Sequence, residues 1–92
     1  MIKSFSDTKT ESLFNGRCHR NYRAFRNVAE RKLQQLDSAT TIDFLRSPPG
    51  NRLERLSGNR EGQYSIRINR QFRLCFEWKD GHVYEVEIVD YH

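Results

Sequence analysis

Three runs in the second half of the chain alternate apolar and polar residues with one shared parity, and that parity constrains the fold more than any other feature. Tyr64, Ile66 and Ile68 alternate with Ser65 and Arg67. Phe72, Leu74, Phe76 and Trp78 alternate with Arg73, Cys75 and Glu77, and Tyr84, Val86 and Ile88 with Glu85, Glu87 and Val89. Successive side chains of a strand point to opposite faces, so each run predicts a strand burying its even-numbered residues. Directly opposed residues of a hairpin must share a face, so each connection needs an odd number of residues or a bulge. A loop at Asn69-Arg70-Gln71 satisfies this: it pairs Ile68 with Phe72 and Ile66 with Leu74, and it sets Arg67 opposite Arg73. A similar loop at Asp80-Gly81-His82 pairs Trp78 with Tyr84, Phe76 with Val86 and Arg73 with Val89, and brings Gln71 to face Tyr91. Residues 52–56 offer a further short strand.

A sheet with one apolar face needs helices to cover it, and the first half of the chain supplies them. Phe25, Val28, Ala29, Leu33 and Leu36 recur at steps of three and four, which predicts a main helix over residues 22–36. Thr8-Lys9-Thr10-Glu11 has the capping-box pattern of a short helix start, and Gly16 is placed to end that helix. Ile2-Lys3-Ser4-Phe5 alternates as a first strand would, and Thr41 is positioned to cap one turn over Ile42–Leu45. Ser47-Pro48-Pro49-Gly50-Asn51 then stops helix and strand alike. The expectation is one α+β domain spanning residues 1–92, with a mainly antiparallel sheet and N-terminal helices on one face. A chain of 92 residues buries only about 60–65% of its unfolded surface, so a tight partner would add stability.

Charge is divided unevenly along the chain. Residues 1–76 carry 15 Lys and Arg against 7 Asp and Glu, whereas residues 77–92 carry 1 against 5. Arg outnumbers Lys 12 to 4, and Arg holds phosphate bidentately and stacks on bases. A basic body of this kind suits a polyanion or an acidic protein partner; a solvated charged face is the plainer alternative. The chain has two isolated cysteines, Cys18 and Cys75, which make no disulfide scaffold. Absent an apolar run of signal-peptide or membrane-span length, a cytosolic, soluble protein without a membrane partner is expected. The cysteines and histidines lack zinc-ligand spacing, and no phosphate-binding glycine loop is present, so neither a metal nor a cofactor is expected.

On the face opposite the helices, the register gathers Arg67, Arg73 and Tyr91 on adjacent strands. Arg73 alternates with Leu74 and is expected to point away from the core, so that its truncation opens no cavity. Like charges directly opposed on a sheet repel, and an anion between them relieves this. The alternative is that Glu77, Glu85 or Glu87 neutralises the pair. Asp90-Tyr91-His92 follow directly from the last strand and add groups able to move protons. Cleavage of RNA without a metal needs a base for the 2′-hydroxyl, an acid for the leaving 5′-oxygen and cations for the phosphoryl group. Arg67 and Arg73 offer the cations. Such groups also occur on basic sheets that perform no chemistry.

Several strings together resemble a known family. Arg46-Ser47-Pro48-Pro49-Gly50-Asn51-Arg52-Leu53-Glu54, residues 62–69 (GQYSIRIN), Phe72-Arg73-Leu74-Cys75-Phe76 and Glu87-Ile88-Val89-Asp90-Tyr91-His92 are similar to HigB-type toxins of the RelE superfamily, in the GraT-like branch. The resemblance implies a RelE-like fold and ribosome-dependent cleavage of mRNA in the A site, which inhibits translation. It also implies neutralisation by a cognate helix-turn-helix antitoxin, with operator DNA reached only through that antitoxin. By family position Arg73 resembles the phosphate-stabilising arginine, and Asp90, Tyr91 and His92 the acid–base end. Arg67 resembles a residue that holds RNA, and Arg52, Arg55, Arg60 and Arg70 are further candidates for mRNA or rRNA contact. Some family members carry His and Lys where this chain has Glu54 and Ser57, so those roles do not transfer. Glu54 acts as a base or pairs with Arg52 or Arg55, and the assignment of base and acid stays open. Two other readings are a non-catalytic ParE-like toxin that binds gyrase and a basic RNA- or ribosome-binding module without chemistry.

Overall fold

A computed structural model describes residues 1–91. Helix α1 spans Thr8–Phe14 and α2 spans Arg26–Ser38; the strands are β1 (Glu54–Arg55), β2 (Gln63–Arg67), β3 (Phe72–Lys79) and β4 (His82–Asp90). The strands form one antiparallel sheet in the order β1-β2-β3-β4. Both helices pack on one face of it. Ala29, Leu33 and Leu36 of α2 and Leu13 of α1 meet Ile66, Leu74, Phe76, Val86 and Ile88 in a single core. Fully buried leucines such as Leu33 and Leu36 each contribute about 1.5–3 kcal/mol. No helix among the described residues is long and apolar enough to cross a membrane.

The main helix starts later than its periodicity suggests. Arg20–Phe25 is a 3-10 segment, and α2 begins only at Arg26. Tyr22 and Phe25 are three residues apart, the repeat of a 3-10 turn, and both are buried. The His19 Nδ1 accepts from the Asn21 N–H at 3.1 Å and starts that segment. Helix α1 is capped by Asp7, whose carboxylate accepts from the Thr10 N–H at 2.9 Å, one residue before the expected cap. The Thr10 hydroxyl is buried and accepts from the Ile88 N–H at 3.0 Å, tying α1 to β4. Gly16, at φ 92, follows α1 as expected. Thr41 caps a 3-10 turn over Ile42–Arg46.

The first hairpin has the expected register: Ile66 opposes Leu74 and Arg67 opposes Arg73. The second does not. Its turn is Asp80-Gly81, with Lys79 paired to His82, Trp78 to Val83 and Glu77 to Tyr84. Asp80 and Gly81 have φ 53 and 78, the left-handed pair of a tight hairpin turn. Parity is restored by a bulge between Cys75 and Glu77, where Glu85 takes φ 54. Beyond it Cys75 pairs with Glu87 and Arg73 with Val89, as the even-face pattern requires. The bulge puts Val83 into the core and turns Tyr84 to the outer face with Glu77, which reverses the expectation for Tyr84. It also shapes the N-terminal segment. Residues 2–5 form two parallel bridges to β4, Ile2 to Val83 and Phe5 to Val86, in place of a continuous strand. The Ser4 hydroxyl fills the gap by accepting from the Glu85 N–H at 2.9 Å.

Candidate functional site

The outer face of the sheet, away from the helices, holds a cleft of about 450 Å³ lined by Arg52, Arg67, Arg70, Arg73, Glu54, Tyr91 and Asn69. Four strands and loops converge to make it. Asn69 stabilises the β2–β3 turn by accepting from the Gln71 and Phe72 N–H groups at 2.9 and 2.8 Å, which leaves Arg70 at the turn's tip. Arg67 Nε donates to the Asn69 carbonyl at 3.0 Å. Arg52 sits in the left-handed region at φ 45, directly after Asn51. Asn51 is fully buried: its Nδ2 donates to the Leu45 carbonyl and Gln35 Oε1, both at 3.0 Å, while Lys32 Nζ donates to its Oδ1. That node ties the Pro48-Pro49 loop to α2 and so fixes the path of the chain into Arg52.

Arg73 is embedded more deeply than expected, with a relative exposure of 8%. Its Nε donates to Ser65 Oγ at 2.8 Å, and its Nη2 donates to the Arg52 carbonyl at 2.6 Å and the Ser65 carbonyl at 3.3 Å. The expectation that its truncation opens no cavity is therefore corrected. Arg73 points away from the helices, but Ser65, Arg52 and the β1 segment pack around it. This also answers how Arg67 and Arg73 coexist on opposed positions: one guanidinium is drawn to the turn, the other to Ser65 and Arg52.

Of the three acids that the alternative reading offered to neutralise the arginines, two are engaged elsewhere. Glu87 pairs with Arg60 at 2.7 Å, and Glu85 accepts from the Ser6 hydroxyl at 3.1 Å. The carboxylate nearest Arg73 is that of Glu54, 3.9 Å from Nη1, at the limit of an ion pair and more than half exposed. Among the described residues Arg52, Arg67 and Arg70 form no ion pair. Among the described residues the cleft thus presents four guanidinium groups against one carboxylate, an arrangement suited to a phosphate chain. Burial raises the Tyr91 hydroxyl above its ordinary pKa of 10.0, and neighbouring Arg60 and Arg73 offset this only in part. The phenol is consequently protonated near neutral pH and able to donate.

Of the candidate residues, Arg52, Glu54, Arg67, Arg70, Arg73 and Tyr91 come together here. Arg55 lies on β1 with its guanidinium 5.9 Å from the Tyr64 ring centroid. Arg60 is held by Glu87 and by Gln63 Oε1. Asp90 lines a different depression, with Asn21, Tyr22 and Phe72, and accepts from Gln71 Nε2 at 3.0 Å. His92 lies outside the described residues. Ser65, Asn51 and Asn69 were missed as contributors to the site. Asn69, in a turn between two strands, carried a readable signal, whereas buried Ser65 looks like any outward strand residue.

Residues 3–92 match the family described as the RelE-like toxin of the type II toxin–antitoxin system HigB. The chain belongs to the HigB-like toxin family. It is similar to toxin HigB-1 of Vibrio cholerae, with 54% identity over 55 residues, covering 60% of this chain and 58% of that protein. It is also similar to the endoribonuclease HigB of Proteus vulgaris, with 36% identity over 61 residues, or 66% and 65% of the two chains. The matched segments thus span under two thirds of those relatives' length. In fold it resembles YoeB in a YoeB–YefM complex from Staphylococcus aureus, with a TM-score of 0.62, 23% identity, and 100% and 98% of the chains covered. A YoeB dimer from the same organism gives 0.59 at 24% identity, covering 99% and 97%. The RelE-like α+β fold expected from the sequence is the fold observed.

Proposed function

We propose that this toxin is an endoribonuclease that cleaves mRNA in the ribosomal A site without a metal ion and so inhibits translation. The observation that carries the reading is the four-arginine cleft with a protonated tyrosine beside it. An RNA strand laid across the cleft meets Arg52, Arg67 and Arg70 through its phosphates, with Arg55 extending the basic track at the β1 edge. Arg73, already fixed by Ser65 and Arg52, faces the reacting phosphate and stabilises the charge that builds on its non-bridging oxygens. The 2′-oxygen bonds to phosphorus as the bond to the 5′-oxygen breaks, leaving a 2′,3′-cyclic phosphate and a 5′-hydroxyl. Tyr91 gives its proton to the 5′-oxygen. Glu54 takes the 2′-hydroxyl proton, with His92 the second candidate for that acid–base work; Asp90, in the other depression, takes no part. The ribosome supplies what a 92-residue domain lacks, an oriented single strand, and orientation is a large share of the barrier.

A cognate helix-turn-helix antitoxin neutralises the toxin on this reading, and operator DNA is bound through the antitoxin alone. Similarity to a relative named an endoribonuclease supports the enzymatic reading over a gyrase-binding or purely RNA-binding one. Mapping 5′ ends of cellular mRNA after brief expression tests it. New in-frame cuts are expected. DNA damage without cuts would instead point to gyrase, and neither outcome to a binding module.

A further inference from the structure

Arg73 has a carboxylate for a neighbour with which, among the described residues, it forms no ion pair. Glu87 is the cross-strand partner of Cys75, two residues along β3 from Arg73, while Arg73 itself pairs with Val89. Glu87 is therefore the diagonal neighbour of Arg73 on the same face, a separation that two long side chains can bridge. A carboxylate bound there would cancel the charge that Arg73 offers to a phosphate. Glu87 is instead taken by Arg60, whose Nη2 lies 2.7 Å from its Oε1. Arg60 comes from another part of the chain, at the end of the 3-10 turn Gly58–Arg60 between β1 and β2, and its Nη1 donates to Gln63 Oε1 at 3.0 Å. The pair is partly buried, with side-chain exposures of 33% and 22%, so solvent ions screen it less than an ordinary surface pair. Arg73 meanwhile donates to neutral acceptors, Ser65 Oγ and the carbonyls of Arg52 and Ser65. These fix the guanidinium plane and leave its charge intact.

We infer that Arg60 is a positioning residue that occupies Glu87 and so keeps the charge of Arg73 open to the cleft. Arg60 serves the reaction through Glu87 and not by contact with RNA. Without Arg60, Glu87 loses its cation, and Arg73 is the diagonal cation within its reach. A carboxylate accepts from a guanidinium more strongly than a hydroxyl or a carbonyl does, so it would draw Arg73 from Ser65 as well as neutralise it. The inference rests on the proposed role of Arg73 at the reacting phosphate, but capture of Arg73 by Glu87 is measurable without any cleavage.

The test follows the Arg73 Nε–H signal in the full ¹⁵N-labelled chain, assigned by its loss in Arg73→Lys, beside single-turnover cleavage on programmed ribosomes. Arg60→Ala should shift that signal and slow cleavage about tenfold, less than the loss of about 10²–10³ expected on removing the cation itself, with ribosome affinity unchanged. The double variant Arg60→Ala/Glu87→Gln should return both readings to wild-type values, because the capturing carboxylate is gone; a double-variant cycle isolates such coupling. Arg60→Lys, which keeps a cation beside Glu87, should largely preserve both, and so should Glu87→Gln alone. Equal losses in Arg60→Ala and the double variant overturn the inference, since Arg60 would then act on the fold or on RNA directly. An unmoved Arg73 signal in Arg60→Ala overturns it whatever the cleavage rate. A signal that moves and is restored while the wild-type chain cuts nothing supports the capture and overturns instead the reading of the chain as a ribonuclease.

Discussion

Arg73→Ala removes a cation beside the proposed reacting phosphate and also three donated hydrogen bonds, to Ser65 Oγ and to the carbonyls of Arg52 and Ser65. Hydrogen bonds from a charged donor contribute about 1.5–3 kcal/mol each, but the truncated site borders a cleft that water can enter. A net loss of about 2–3 kcal/mol follows. For a domain of this size each kcal/mol moves the melting temperature by roughly 4–8 °C, so a drop of about 10–20 °C is expected. The chemical loss is separate, about 10²–10³ in rate for one preorganised charge-stabilising group. Ser65→Ala is the control: it takes one acceptor from Arg73, costs about 1 kcal/mol, and leaves the cation in place. Single-turnover cleavage on programmed ribosomes, run well below each variant's melting temperature, should show Arg73→Ala far slower than Ser65→Ala with similar ribosome co-sedimentation. Near-wild-type cleavage by folded Arg73→Ala refutes the catalytic role, and an unchanged melting temperature refutes the structural one.

Ribosome affinity should fall steeply with salt, with a log–log slope of about −0.7 per phosphate for single strands. The slope should shrink on removing Arg52, Arg67 or Arg70 in turn but not Arg60; a salt-insensitive affinity would remove the polyanion reading. Asn51→Ala should destabilise by about 3 kcal/mol, because half-buried Gln35 and Lys32 and the buried Leu45 carbonyl lose their shared partner, and cleavage should fall with it as Arg52 shifts; a thermal melt and a cleavage assay check both. Gly81→Ala should cost about 1–2 kcal/mol, since φ 78 is strained for any residue with a Cβ, and should leave cleavage unaltered at low temperature. Burial raises the Cys75 thiol above 9.0 and the hydroxyls of Tyr22 and Tyr91 above 10.0, so the unfolded chain loses these protons first. Their stability contribution is complete below pH 9.0 and declines as pH rises through the raised values; Lys32, lowered by burial, acts oppositely, as one group against three. Melting temperature should therefore fall above about pH 9, later in Cys75→Ala, and a flat profile to pH 11 would contradict this.

The sheet was legible because burial enforces parity. Ile66, Leu74 and Ile88 share a face, and the three-residue turn at Asn69–Gln71 then left one register for Arg67 and Arg73. The second hairpin was not legible, because a two-residue turn plus a bulge satisfies the same parity as a three-residue loop. Only the local backbone at Glu85 decides between them, and a glutamate announces no positive φ. The helix start was misplaced because Tyr22 and Phe25 continue an apolar spacing that a 3-10 turn and an α-helix share. At the site, composition and register brought Arg67, Arg73 and Tyr91 together. Parity also put Asp90, an even position paired with Phe72, on the helix side. The sequence could not show that Arg52 and Glu54 close over Arg73, because that depends on the left-handed turn at Arg52.

On the proposed function the arginine cleft performs an in-line transesterification of ribosome-bound RNA. The most direct measurement is the chemistry of the product ends when purified toxin meets a programmed ribosome, beside the same mRNA free in solution. A single cut within the A-site codon is predicted, with a 2′,3′-cyclic phosphate upstream and a 5′-hydroxyl downstream, and almost none on the free RNA. A 5′-phosphate product, equally efficient cutting of naked mRNA, or no cut on the ribosome would contradict it.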